Sequence, residues 1–204
     1  MTDGPRDANP KVEKILAGAR QVFFEHGFGS ASTDMVQRAA GVSKSTVYSY
    51  FPSKDALFVA VVQAECKSLV DGIHGERIKA RTIRETLLRV GEKLCESVLA
   101  PSVLALLRIV IAEAPRFPLL GVAIREAGAL PLQRELTEYL VEAGWRRDAS
   151  IAEPRSAARH FVGMVLHDVQ MECLLGLRSP PGPGEIRDIV EAAVDDFLRA
   201  HPPS

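Results

Sequence analysis

Lys44, Ser45 and Tyr48 bring together a cation, a small hydroxyl and an amphipathic ring. On a helix, offsets of three and four put such residues on one face. A DNA duplex has a use for each: phosphate oxygens, base-edge donors and acceptors, and thymine methyls. Val47 and Phe51, four apart, point the other way. Lys54 adds a second feature. Ser53 reads as a helix cap, so Lys54 falls in a first turn, where the dipole disfavours a cation. A lysine beside free backbone amides there makes an anion site suited to a phosphate. An antiparallel helix pair with a polar exterior would show the same spacing, and a lysine at a helix start can simply be solvated.

The elements that must position these side chains are legible around them. Thr33 can cap a helix over Asp34–Ala40, and Gly41 follows where a helix end needs left-handed backbone. Ser43 then caps a second helix over Lys44–Phe51, which Pro52 stops from outside. Val36, Ala39 and Ala40 form the apolar side that receives Val47 and Phe51, and the alanines permit a close helix crossing. Helix, three-residue turn with glycine, helix is the arrangement that lays a second helix in a major groove.

The run AAGVSKSTVYSYFPSKDALF resembles the signature of the tetracycline-repressor (TetR) family of bacterial regulators. It has the small-residue helix, the GVS turn, a recognition helix with Thr46-Val47-Tyr48 followed by Tyr50 and Phe51, and a Lys-Asp-x-Leu helix start. The resemblance spans about 45 residues, from the first helix to the start of the fourth. It implies phosphate contacts from Thr33, Tyr48 and Lys54, and base reading by Lys44, Ser45 and Tyr50, with Thr46 on the same helix. Two residues depart from the pattern. Asp34 stands where some members carry a basic base-reading residue, so no base contact is carried over for this helix. Ser45 stands where glycine is frequent, so the target sequence is not transferable from a relative.

The whole chain sets broader bounds. Its 204 residues suffice for a real core in one domain or two small ones. No run of about 18 apolar residues predicts a membrane span, and the polar N-terminus lacks the apolar core of a signal peptide. Cys66, Cys95 and Cys173 are far apart and lack metal-type spacing, which fits reduced thiols and a cytoplasmic location. The net charge is −1, and Met1–Ala56 carries seven Lys/Arg against six Asp/Glu. Such a weak footprint favours symmetric contacts to particular phosphates and bases over bulk attraction. An enzyme would need Cys95 or Cys173 beside His160 or His167, yet no nucleophile elbow, phosphate loop, HExxH or carboxylate pair occurs. No cofactor is expected.

Along the chain, residues 1–9 read as a disordered tail, residues 10–56 as the helix-turn-helix domain and residues 57–204 as a sensing and dimerisation domain. Val12, Ile15, Leu16, Ala19, Val22 and Phe23 predict an amphipathic helix closed by Gly27. Ala56 to about Ile73 predicts a long helix spanning roughly 27 Å, ended by Gly72 and Gly75. Helical periodicity continues over Thr82–Leu99, Pro101–Ala114, Leu132–Ala143, Ser156–Leu177 (capped by Ser156) and Glu185–His201, with a loop at SPPGPG. No segment alternates at period two. The fold class is therefore all-α: an N-terminal three-helix head and a larger C-terminal helical bundle, about nine to ten helices.

The body is expected to do two things. The last two long helices carry more apolar surface than one core stripe requires, and in TetR-like proteins the matching pair forms a four-helix dimer interface. Two heads about 34 Å apart then read a palindromic double-stranded operator. The resemblance also implies a small-molecule effector among the middle helices. Candidate lining residues are Cys95, Arg108, Phe117, Trp145, His160, Phe161, Met164, His167 and Met171. Arg108 interrupts an apolar run, so either a carboxylate such as Glu113, an acidic ligand or solvent should face it. His160 and His167 are seven apart, which puts their rings about 10 Å apart and predicts no metal site from that helix alone. A DNA-organising protein without an effector and a thiol-responsive regulator remain alternatives.

Overall fold

The structure, a computed structural model, describes residues 9–79, 82–145 and 150–202. Among them the regular elements are ten α-helices and one π-helical turn: α1 Pro10–Ser30, α2 Thr33–Ala40, α3 Lys44–Tyr50, α4 Lys54–Lys79, α5 Ile83–Val98, α6 Pro101–Glu113, α7 Pro118–Ile124, the π turn Arg125–Ala129, α8 Leu130–Trp145, α9 Pro154–Leu175 and α10 Pro183–Ala200. Among the described residues no single helix is long and apolar enough to cross a membrane.

The expected helices are present, with shifted ends. Residues 1–8 of the expected tail lie outside the described residues. Asn9 is the N-cap of α1, its Oδ1 accepting from the Lys11 amide. Gly27 interrupts α1 at φ 72°, where a Cβ would be strained, and one further turn carries Phe28 into the core. Ser32, not Thr33, caps α2 through the Met35 amide, which leaves the Thr33 hydroxyl free for another partner. Gly41 takes the left-handed conformation at φ 63° and Ser43 caps α3 through the Thr46 amide. Gly72 and Gly75 do not end α4, which runs on to Lys79; isolated glycines only weaken a helix. Helix α9 starts at Pro154 behind Glu153, so Ser156 lies inside it and does not cap it.

Two cores form. The larger unites α5, α8, α9 and α10 around Leu87, Leu94, Leu140, Phe161, Val190 and Phe197. The smaller holds Ile15, Phe23, Phe28, Val36, Val47, Leu57 and Phe58 of the head, together with Leu106, Val110 and Leu120 of α6 and α7. The three-helix head is thus packed directly on two body helices. At the centre Phe58 meets Phe23 and Phe28 edge-on at 5.0 and 5.1 Å, and Phe28 meets Phe117 at 5.0 Å. The alanines predict a close crossing of α2 with α3; the close approach at Ala40 is instead to α1. A Cβ on Gly18 would lie 2.7 Å from the Ala40 amide nitrogen, so only glycine fits there, while Ala39 is exposed.

Candidate nucleic-acid interface and effector cavity

Helix α3 has seven residues and buries one of them, Val47. That anchor, at the end of a turn fixed by Gly41 and Ser43, turns the rest of the helix outward. Lys44, Ser45, Tyr48, Ser49 and Tyr50 are exposed, Thr46 and Phe51 half-buried. The outward side chains hold one another. The Ser43 hydroxyl shares hydrogen bonds with Ser45 Oγ (2.8 Å) and Thr46 Oγ1 (2.7 Å). The Thr33 and Tyr48 hydroxyls meet at 3.1 Å across the two helices. Tyr50 accepts at its phenol oxygen from Asn9 Nδ2 at 2.9 Å, tying α3 to the start of α1. Lys44 Nζ donates to Asp34 Oδ1 at 2.9 Å, and that hydrogen bond, with the carboxylate charge behind it, raises the ammonium pKa. Asp34 therefore holds the cation of the face.

Lys54 has a different position from the one its place in the sequence predicts. It opens α4, and Ser53 Oγ does accept from the Ala56 amide as a cap. Its ammonium turns inward over the Phe28 ring, 4.5 Å from the centroid. There it donates to the carbonyls of Phe28 (2.8 Å), Gly29 (3.2 Å) and Ala31 (3.1 Å). These carbonyls follow the break at Gly27 and lack a regular helical partner, so a cation is drawn to them. On the other side of the same turn, Glu113 at the end of α6 accepts from the Gly29 amide at 3.1 Å. Lys54 is thus a strut between α4 and the end of α1.

Within the body, a cavity of about 250 Å³ lies between α4, α5, α6, the α7–α8 segment and α9. Its wall is Val98, Val103, Leu106, Leu107, Ile124, Ala129, Leu132, Val162 and Leu166, with Gly128 and the polar groups Glu65, Cys66 and Gln170. The π-helical turn supplies part of it, and a Cβ on Gly128 would come within 3.0 Å of Cys66 Sγ. Glu65 Oε1 accepts from Arg20 Nε of α1 at 2.7 Å, and the Arg20 guanidinium lies 4.8 Å from the Phe24 ring centroid.

None of the eight ligand candidates whose side chains are described lines this cavity. Cys95 and Phe161 are buried in the larger core, Cys95 against the Val165 carbonyl and Phe161 against Phe197. Phe117 belongs to the aromatic junction with the head. Arg108 is exposed and donates to the Cys173 and Leu174 carbonyls at 2.5 and 2.9 Å, capping the end of α9; carbonyls, not Glu113 or a ligand, satisfy it. His160, Met164, His167 and Met171 lie on the outer face of α9, where Met164 and Met171 are about half exposed. The Trp145 side chain lies outside the described residues. Helix α9 is apolar on both sides, so its sequence does not separate the cavity face (Val162, Leu166, Gln170, at steps of four) from the outer one. Those steps, and the Glu65-Cys66 pair in the middle of α4, were the available signals.

Comparison with known proteins follows the same division. A family model described as "Bacterial regulatory proteins, tetR family" matches residues 15–61, and one described as "AefR-like transcriptional repressor, C-terminal domain" matches residues 85–202. An uncharacterised HTH-type transcriptional regulator of Mycobacterium tuberculosis is 28% identical over 203 residues, covering 97% of this chain and 92% of the relative. A crystal structure of a TetR-family regulator from Mesorhizobium loti superposes with a TM-score of 0.86 at 26% identity, covering 94% of this chain and 96% of that one. The flavonoid-responsive regulator FrrA superposes with a TM-score of 0.82 at 33% identity, covering 97% of this chain and all of its own.

Proposed function

The chain belongs to the TetR family of bacterial helix-turn-helix transcription regulators and is not an enzyme; from that premise we propose that it is a homodimeric cytoplasmic repressor, released from a palindromic operator by a small-molecule effector. The observation that carries this reading is the course of α4. The helix begins in the head, packs Leu57, Phe58 and Val61 into the head core, and then presents Glu65 and Cys66 to the cavity. A molecule that fits the cavity better in one α4 position than another shifts the population of head positions.

Residues 10–56 then read DNA and residues 57–204 sense and dimerise. The paired hydroxyls of Thr33 and Tyr48 suit a phosphate oxygen, and Lys44, Ser45 and Thr46 lie where a recognition helix meets bases and backbone. Tyr50 shares that face while holding Asn9. Lys54 acts here by fixing the junction and not through its ammonium on a phosphate. Dimerisation is supported by the outer face of α9, where Met164, Met171 and Leu175 leave large apolar side chains exposed. Repression is supported by the description of the matched C-terminal family, and a small-molecule input by the flavonoid response of FrrA. The thiol-responsive alternative has less behind it. Cys95 and Cys173 are buried, burial pushes the Cys95 thiol up to about 11, and burial followed by the Glu65 charge raises Cys66. Protonated thiols react slowly.

The test is selection of fragments from the source genome by purified protein at physiological salt, with light scattering on the same sample. A palindrome with half-sites about one helical turn apart, bound by a dimer, is expected. Enrichment of no common site, or a monomer bound to single half-sites, would remove the reading.

A further inference from the structure

The cavity and the head share one charged group. Glu65 lines the cavity from α4, and the same carboxylate is the partner of Arg20 on α1. The two claims on it come from different parts of the molecule, the cavity interior and the DNA head. Both members of the pair are partly exposed, 42% for Arg20 and 23% for Glu65, so solvent can take up whichever group is released. The rest of the wall narrows the ligand. Among the described residues its polar groups are Glu65, Cys66 and Gln170, and none of those lining it is Lys, Arg or His. An acidic molecule would bring a second negative charge beside Glu65, where the one guanidinium at hand, Arg20, is already engaged by that carboxylate, an arrangement that low-polarity surroundings make costly. A molecule with no donor would leave the carboxylate facing an apolar surface. Size sets the remaining limit. An apolar cavity of about 150 Å³ holds a benzene, so about 250 Å³ suits a two-ring molecule.

We propose that the effector is a small, uncharged, hydroxylated ring compound whose O–H donates to Glu65, and that it draws this carboxylate away from Arg20. The proposal rests on the reading of the cavity as the effector site and adds its chemistry and its link to the head. Losing the Arg20 bond loosens α1 from α4, so the ligand signal reaches the head through a side chain as well as through helix movement. By linkage, the two interactions oppose each other equally: whatever the ligand takes from the Arg20–Glu65 bond, that bond takes from ligand affinity.

The experiment is calorimetric titration of the full-length protein with three probes of one ring size: 2-naphthol, 2-methoxynaphthalene and 2-naphthoate. The expected result is 2-naphthol binding at least tenfold more tightly than either of the others. Glu65→Gln should weaken 2-naphthol at least fivefold and leave 2-methoxynaphthalene within twofold. Arg20→Gln, which removes the competitor, should tighten 2-naphthol at least threefold, a gain that a purely structural ion pair would not give. Thermal melts of both variants establish that they are folded. Naphthoate binding as tightly as naphthol, indifference to Glu65→Gln, or unchanged or weaker naphthol binding in Arg20→Gln each overturns the proposal while leaving an effector cavity. Binding of none of the probes overturns the cavity as an effector site and the proposal with it.

Discussion

The head and the body hold their polar groups in opposite ways. On the outer face of the head they satisfy one another in exposed pairs: Lys44 with Asp34, Tyr48 with Thr33, Tyr50 with Asn9, Ser45 with Ser43. Exposed bonds of this kind contribute little and exchange readily for a phosphate or a base edge. In the body, Glu65 stands in a largely apolar wall, with Cys66 and Gln170 as its other polar groups, and pairs with Arg20. Both groups of that pair are partly exposed, so solvent can take up whichever is released, and a ligand donor at Glu65 would compete with one ion pair instead of many shared hydroxyl bonds. If both surfaces recognise as proposed, the head spreads recognition over many exchangeable bonds and the body concentrates it in one. The junction of Phe28, Lys54, Glu113 and Phe117 joins the two.

Breaking that junction should have the largest effect. Phe28 is wholly buried and touches Phe23, Phe58, Phe117 and the Lys54 ammonium. Phe28→Ala should lower unfolding free energy by about 3–5 kcal/mol in urea titrations. A cost below about 1 kcal/mol would mean that head and body do not share this core. Lys54→Met comes next. It keeps the stem over the ring but strips three carbonyls of their donor, and should cost about 1.5–3 kcal/mol. The same variant decides between two roles for the lysine. Unchanged stability with a DNA salt dependence lower by about one contact would place the ammonium on a phosphate after all.

How much was readable from sequence follows the same division. The head is built from short-range signals, namely caps at Ser43 and Ser53, the left-handed Gly41 and one buried anchor per recognition helix. All act within four residues, so they identify α2, the turn and α3 and the exposed face of Lys44, Ser45 and Tyr48. The Thr33–Tyr48 pairing depends on how α2 crosses α3, and moving the cap from Thr33 to Ser32 was enough to hide it. The inward position of the Lys54 ammonium was not readable, because its acceptors lie 23 to 26 residues away, in a turn created by Gly27. The cavity left only weak signals in the sequence, the steps of four on α9 and the Glu65-Cys66 pair on α4. Which side of α9 faces it depends on where α4 and α6 pack, and Phe161, Val162 and Met164 differ in no local property that reports this.

Within the head, Tyr48→Phe separates ring from hydroxyl. The ring remains on the recognition face while Thr33 loses its partner, and operator affinity should fall by about 0.5–1.5 kcal/mol in anisotropy titrations. The loss should be similar for cognate and random duplexes, because a hydroxyl pair that receives a phosphate carries no sequence information. A loss confined to the cognate site would assign Tyr48 to a base.

Asp34→Asn should have the smallest effect and the opposite sign. Asp34 and Lys44 are both about half exposed, at 54% and 53%, so their ion pair adds little to folding. It does neutralise the one cation that α3 presents. The asparagine keeps the side-chain shape and can still accept from Lys44, but no longer cancels its charge for an approaching phosphate. Affinity for any duplex should therefore rise, roughly twofold to fivefold at low salt, and the slope of log affinity against log salt should steepen by about 0.9, one phosphate contact. The gain should fade as salt screens it. Unchanged or weaker binding would mean that the carboxylate aims Lys44 at its target instead of holding it back. In that case the Asp34→Asn, Lys44→Gln double variant would bind like Lys44→Gln alone. If Asp34 is instead a brake, selectivity for the operator over random DNA should fall as affinity rises, which would explain an acidic residue on a DNA-facing helix in a head so close to neutral.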